Sequence, residues 1–397
     1  MSTASDRPDP TGPPTPSLGD RLAEVAEVTE RHAARTDRDA EFPVEALDAL
    51  RRTGLLGLLV PTEYGGLGGA LPELVTAAQT LGRSDMSVGM VFAMHCQQAQ
   101  ALVQYGHERL RKELLPRIAA GETYLASVTT EAGKGGHLLS AQARLADTGE
   151  SLEIDRFAPI VTGGAHADGF LITMRSPAAT ADNEVSLVYA HRDQLDVSGS
   201  GDWQPMGMRA SHSIPLRLTG SVPGYQLVGG QGEFHVIAHR VFGPLAHLGW
   251  SAVWLGTAAG ALSRVLRLLR GPAGRERFDV GSELLLTRIS RSRQRLDAVH
   301  ALLQQTLRTV ESGADLSVPA RQLQLNSLKI TASEQCLAAV DDLVDAVGLR
   351  HGYLQDSPTR LERALRDLRS AALNYSNDRL HLADGRLALR DQGVSFA

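Results

Sequence analysis

The spacing of apolar residues changes twice along the chain, and this order of patterns restricts the fold more than any single motif. Between residues 18 and 122 the spacing is helical. Leu22, Val25, Val28 and Thr29 fall near steps of about 3.6 residues, and Val44, Leu47, Leu50 and Leu55 continue the pattern on a second helix. Pro43 suits the first turn of that second helix, where a missing N–H costs nothing. A glycine-rich break at 61–69 precedes another helix pair that ends near Ala120. From 123 to 233 the pattern becomes short clusters of β-formers (123–129, 170–174, 185–190 and 214–218) set between Gly, Asp, Ser and Pro. From 234 to 397 helical spacing returns, and Leu285, Ile289, Leu296, Val299, Leu303, Leu307 and Val310 form one apolar seam. Helices, then strands, then long helices predict a multidomain α+β protein: an N-terminal helical domain (18–122), a middle antiparallel β-domain (123–233) and a C-terminal four-helix-bundle-like domain (234–397). Residues 1–17, rich in Pro, Ser, Thr and Asp, read as a disordered tail.

Composition narrows the function classes. A net charge of -5 with both signs dispersed gives no electrostatic reason to expect nucleic acid or an anionic membrane as partner. The tail lacks the apolar core of a secretory signal, and the longest apolar stretch, 245–261, is broken by His247, Gly249 and Gly256 and reads as a buried helix. Cys96 and Cys336 are far apart without metal-ligand spacing, so a cytoplasmic, reducing location and no disulfide framework are expected. No G-x-G-x-x-G follows a strand and no G-x-x-x-x-G-K-[ST] occurs, which lowers the standing of nicotinamide and ATP enzymes. His235 and His239 are four apart but lack the glutamate of H-E-x-x-H, so no metal site is expected there.

Several local patterns stand in order along the chain. They are Pro61-Thr-Glu-Tyr-Gly-Gly-Leu-Gly68; Thr129-Thr-Glu-Ala-Gly-Lys-Gly-Gly136 followed by Ile160-Val-Thr-Gly-Gly164; Gly207-Met-Arg-Ala-Ser-His-Ser213; Arg275-Glu-Arg-Phe278; Gly352-Tyr-Leu-Gln-Asp-Ser-Pro358; and Arg366-Asp-Leu-Arg369. In order and spacing, from about Leu22 to Leu380, they resemble the acyl-CoA dehydrogenase family. The resemblance implies FAD held between two helical domains and the β-domain. Thr130, Gly135, Gly136 and Thr162 are then expected to line the isoalloxazine, where hydroxyls and backbone N–H groups meet its ring heteroatoms. Ser211 is expected on the ligand side. Arg275 is expected to reach the FAD pyrophosphate of a neighbouring subunit, with Phe278 packed beside the cofactor. The sequence departs from the family pattern at Ala132, Gly136, Ile160 and Asp279, which stand in place of Pro, Ser, Trp and Gly.

The family's reaction removes an α-proton from an acyl thioester while hydride passes to flavin, and it requires a positioned base. Tyr375 stands where one branch carries its glutamate, and His239, just before Arg240, stands where another does. Imidazole titrates near neutrality, whereas a phenol would need strong depression from about 10; Asp378 is a third candidate. The leading expectation is therefore an FAD-dependent oxidoreductase desaturating an acyl thioester carried by CoA or an acyl-carrier protein, with an electron-transferring flavoprotein as acceptor. The alternative is a flavin-dependent monooxygenase of the same fold, using reduced flavin and O2 with a flavin reductase as partner, and a catalytically silent flavoprotein is a third class. A shared cofactor site would make the protein a homodimer or homotetramer.

Overall fold

A computed structural model of the chain describes residues 16–133, 137–199, 201–391 and 393. The N-terminal helices are α1 (Leu18–Asp39), α2 (Val44–Arg52), α3 (Leu71–Ser84), α4 (Met86–Tyr105) and α5 (Glu108–Ala119). Ser17 and Asp20 form a capping box that starts α1, and the Asp85 carboxylate starts α4 by accepting from the N–H groups of Ser87 and Val88. Pro43 lies one position outside α2, as its cap residue, and Leu55 belongs to a separate 3-10 turn, Leu55–Gly57, beyond Gly54 at φ 72.

The β-domain holds β1 (Leu125–Val128), β2 (Ala146–Asp147), β3 (Ser151–Val161), β4 (Gly169–Arg175), β5 (Val185–His191), β6 (Leu195–Gly199), β7 (Ile214–Pro223) and β8 (Leu227–Val228). They make two four-stranded sheets, ordered β1-β4-β5-β8 and β2-β3-β7-β6. All pairs are antiparallel except β1 with β4. The pairing is thus mainly antiparallel, as expected; the one parallel pair arises because the chain leaves β1 and returns through β2 and β3 of the other sheet. Buried His95 ties the two domains together: it accepts from Leu125 N–H at 3.0 Å and donates to the Leu56 carbonyl at 2.8 Å. Burial pushes its pKa down to about 4, consistent with a neutral ring that donates at one nitrogen and accepts at the other.

The C-terminal domain is built from α6 (Phe234–Ile237), a π turn (Ala238–Phe242), α7 (Gly243–Arg270), α8 (Pro272–Arg277), α9 (Glu283–Glu311), α10 (Pro319–Gly348), α11 (Leu361–Arg369) and α12 (Asn377–Ala388). The seam residues Leu285, Leu296, Val299, Leu303 and Leu307 are buried, as the helical spacing predicted. Phe234–Arg270 contains an 18-residue window apolar enough to cross a membrane, yet 67% of that window is buried inside the protein, so its apolarity is accounted for by packing. α7 is the central helix, and α3 of the N-terminal domain crosses it closely: a Cβ added at Gly256 would sit 2.0 Å from the Gln79 carbonyl oxygen. Val75, Ala78, Met86, Met90 and Ala93 consequently belong to the same core as α7, α9, α10 and α11. The two helical domains are fused through packing, with the β-domain set against one side.

Candidate active site

A cavity of about 1030 Å³ opens where the β-domain meets the helices. Its β-side wall comes from the end of β1, the bulge of β3 and the 203–213 loop, and its helical wall from α4, α7, α10 and α12. The β3–β7 pairing slips between Ala158 and Val161, which frees Pro159 and Ile160 from the ladder and turns them to the cavity. The Thr130 hydroxyl takes up the freed backbone groups, accepting from Ile160 N–H at 3.3 Å and donating to Ile160 C=O at 2.7 Å. Thr130 thus lines the cavity with its side chain engaged by the bulge. Ile160, in place of the family's Trp, is 50% exposed.

Three further hydroxyls, those of Thr162, Ser211 and Ser213, form a directed chain. Ser213 donates to Thr162 at 3.0 Å, so the 2.8 Å contact between Ser211 and Ser213 has Ser211 as donor. Among the described residues nothing accepts the Thr162 proton, which is left for a guest in the cavity. Ser211 is 2% exposed in the 3-10 turn Arg209–Ser211, and the residues on either side, Met208 (φ 55) and His212 (φ 41), hold left-handed backbone. Such conformations cost free energy and persist only when surrounding contacts enforce them.

Those contacts come from α11. Arg366 donates to Met206 C=O at 3.1 Å while pairing with Asp37 at 2.6 Å and Glu362 at 2.8 Å. Asp367 accepts from Met208 N–H at 2.6 Å, and Gly207 lies so close that a Cβ there would meet the Arg366 carbonyl oxygen at 2.1 Å. Arg209 completes the clamp by donating to the carbonyls of Asp37 and Arg38 at 2.6 and 3.0 Å. The Arg366-Asp-Leu-Arg369 motif, which resembles a charged helix face in the sequence, therefore holds the loop that carries the hydroxyl chain. Burial, reinforced by nearby Asp85, pushes the Asp367 pKa up to about 7.

Among the described residues, Glu131 is the one acid lining the cavity. Its carboxylate is engaged by Arg156 at 2.6 Å and by the N–H groups of Gln142 and Ala143, both at 2.8 Å. Tyr375 lines the cavity at φ 52, on a turn anchored by buried Lys329, which donates to Tyr375 C=O at 3.0 Å and to Asn377 at 2.7 Å. Burial pushes the Tyr375 phenol up, with Arg379 opposing, the direction opposite to the depression a phenolate base would need. His239 lies on the π turn, lines the cavity and donates through Nδ1 to His235 C=O at 2.7 Å. Asp378 is exposed and outside the lining. Arg275 is exposed on α8, Phe278 packs 5.9 Å from the His351 ring, and neither lines the cavity of its own chain. Gly135 and Gly136 lie outside the described residues.

The sequence reading missed His247, which it placed in an apolar run. It lines the cavity from α7, 7% exposed, with Nδ1 3.1 Å from Leu325 C=O. Its pKa is pushed down to about 4, chiefly by burial and further by Lys329. A single imidazole within an otherwise apolar helix was the available signal.

Comparison with known proteins agrees with this architecture. The acyl-CoA dehydrogenase N-terminal domain matches residues 21–122 and the acyl-CoA dehydrogenase C-terminal domain matches residues 248–378. The chain belongs to the acyl-CoA dehydrogenase family, a family of flavin-dependent oxidoreductases. It is 26% identical over 343 residues, 85% of each chain, to "Probable acyl-CoA dehydrogenase fadE25" of Mycobacterium leprae (strain TN). It is also 26% identical over 392 residues, 91% of each chain, to the amino sugar nitrososynthase DnmZ of Streptomyces peucetius. In fold it is similar to FMN-bound TdsC of Paenibacillus sp. A11-2, a dibenzothiophene monooxygenase. The TM-score is 0.84 at 21% identity, over 96% of this chain and 99% of that one.

The cavity fits a flavin on its own chemistry. It combines an apolar helical wall with a β-side wall that presents the free Thr162 hydroxyl proton, matching a flat ring whose faces are apolar and whose edge accepts hydrogen bonds.

Proposed function

We propose that this protein is a flavin-dependent monooxygenase of the acyl-CoA dehydrogenase fold, acting on a largely apolar substrate in the cavity described above. The observation that carries the reading is the treatment of carboxylate in that cavity. Tyr375, its phenol pushed further from ionisation, stands where the resemblance to the family leads one to expect a catalytic glutamate, and Glu131 is locked to Arg156 and two backbone N–H groups. Desaturation needs a base that takes an α-proton; oxygenation does not. Bound reduced flavin supplies the redox chemistry with O2, leaving the protein to position the substrate and exclude water. Met90, Met94, Trp250, Leu325 and Leu380 on the helical wall serve that exclusion, and Thr162 offers its proton to the cofactor edge. The similarity to DnmZ and TdsC supports the reading. His239, the cavity's other sequence-expected base, is the residue that favours the dehydrogenase alternative, in which an acyl thioester is the substrate and an electron-transferring flavoprotein the acceptor. In the monooxygenase reading a flavin reductase supplies reduced flavin. The protein is supplied with reduced flavin in air alongside a panel of amines and aromatic compounds, with isotopically labelled dioxygen. A product carrying one labelled oxygen atom is expected, and its absence across the panel while an acyl thioester is desaturated would overturn the reading.

The cofactor is FAD in this proposal, held in a homodimer or homotetramer in which exposed Arg275 serves the FAD pyrophosphate of a neighbouring copy. The buried, unpaired thiols of Cys96 and Cys336 suit a cytoplasmic setting. If Arg275 meets the pyrophosphate, Arg275→Ala should weaken FAD binding by about 1.5–3 kcal/mol, the worth of a hydrogen bond to a charged group, and riboflavin binding far less. Fluorescence titration checks this, and equal losses for both flavins would remove Arg275 from the site.

A further inference from the structure

The α4–α7–α10 wall of the cavity is apolar apart from a few side chains, and most of these are already engaged. Gln97 donates to Phe242 C=O at 2.6 Å and accepts from Gln98 at 3.0 Å. Asn326 donates to Asp384 at 2.6 Å. His247 is different. A carbonyl oxygen accepts and never donates, so the 3.1 Å contact with Leu325 C=O places the ring proton on Nδ1. The neutral ring then carries a lone pair on Nε2, and among the described residues no protein group donates to it. Burial and Lys329 keep the ring uncharged at ordinary pH. His247 Nε2 is therefore a neutral acceptor on this wall, its ring held in place by the Leu325 contact.

We propose that His247 Nε2 is the substrate-orienting acceptor of the cavity, and that the substrate is an apolar molecule presenting one neutral N–H or O–H donor to it. This rests on the reading of the cavity as the substrate chamber. An ammonium ion would have to leave water for an apolar wall whose one lining acid among the described residues, Glu131, is already paired with Arg156, so uncharged amines, indole-type N–H groups and phenols fit better. An isostere without the donor would leave Nε2 buried and unsatisfied, which is the most effective way for a site to reject an analogue.

The test uses the full-length, flavin-loaded protein and matched pairs that differ in the donor: indole with benzothiophene, aniline with toluene. Calorimetric titration should find the donor member bound roughly tenfold tighter, the fold-change of about one neutral hydrogen bond. His247→Leu should close the gap while leaving the non-donor member's affinity unchanged, which also shows that the variant is folded. His247→Gln, whose amide oxygen accepts, should restore part of the preference. Equal affinities within the pairs, a gap that survives in His247→Leu, or no saturable binding by either donor would overturn the assignment. The titrations contain no reductant, so failure here is distinct from failure of the oxygenation assay.

Discussion

Glu131→Ala is expected to lower the folding free energy by about 3–5 kcal/mol, the usual consequence of removing one partner from a buried ion pair. The Arg156 side chain is 0% exposed and Glu131 is 9% exposed, so neither charge has water to fall back on. Among the described residues Arg156 would retain only carbonyl partners, Phe157 at 3.2 Å and Thr130 at 2.8 Å, against an unneutralised guanidinium. The Thr130 contact extends the loss to the proposed site, because the same guanidinium holds the strand end that lines the cavity. Replacing both members with apolar residues, Glu131→Leu with Arg156→Met, should recover much of the stability, since well-packed apolar side chains often match a buried pair. Denaturant midpoints of the three proteins check this. An alanine variant within about 1 kcal/mol of wild type would mean that water reaches the pair.

The second large effect is pH dependence through Asp367. Its ordinary value is 3.8 and its folded value is about 7. Between those values the folded protein keeps a proton that the unfolded chain releases. The stabilisation is fully present below the lower value and is lost as pH rises through the higher one. Asp367→Asn keeps an acceptor for Met208 N–H but cannot ionise. Relative to wild type it should gain on the order of 2–4 kcal/mol between pH 4 and pH 8, the worth of a shift of this size. Subtracting the two stability–pH curves removes every group they share, among them Asp85, Asp37 and Arg363. Superimposable slopes would show that the proton resides elsewhere, with Asp85 the obvious holder, since burial raises its pKa too.

The domain order was legible because periodicity reports which face of an element is buried, and the long seam on α9 could belong only to a helix. The parallel pairing of β1 with β4 was not, since strand partners depend on how the chain crosses between sheets and the local pattern is the same for either direction. At the site, motif position led to Thr130, Thr162, Ser211, His239 and Tyr375, and all five line one cavity. What each does there depended on neighbours distant in sequence. Thr130 is engaged by a bulge thirty residues away and Asp367 by Met208, and the direction of the hydroxyl chain is set by Ser213, the last residue of the Gly207–Ser213 pattern, for which the sequence suggested no role. His247 escaped because apolar surroundings in sequence say nothing about whether a ring nitrogen faces a cavity.

Anaerobic mixing of the flavin-loaded protein with a range of acyl thioesters, followed by flavin absorbance, tests the central claim most directly. A dehydrogenase passes hydride from substrate to oxidised flavin and bleaches without any reductant; the proposed monooxygenase requires its flavin to be reduced first. The account predicts an unchanged flavin spectrum with every thioester, and rapid O2 consumption once reduced flavin and an apolar N–H or O–H substrate are supplied. Bleaching by a thioester at catalytic rates, slowed roughly 10²–10⁴-fold in His239→Gln as expected for loss of a general base, would contradict it and return the protein to the dehydrogenases.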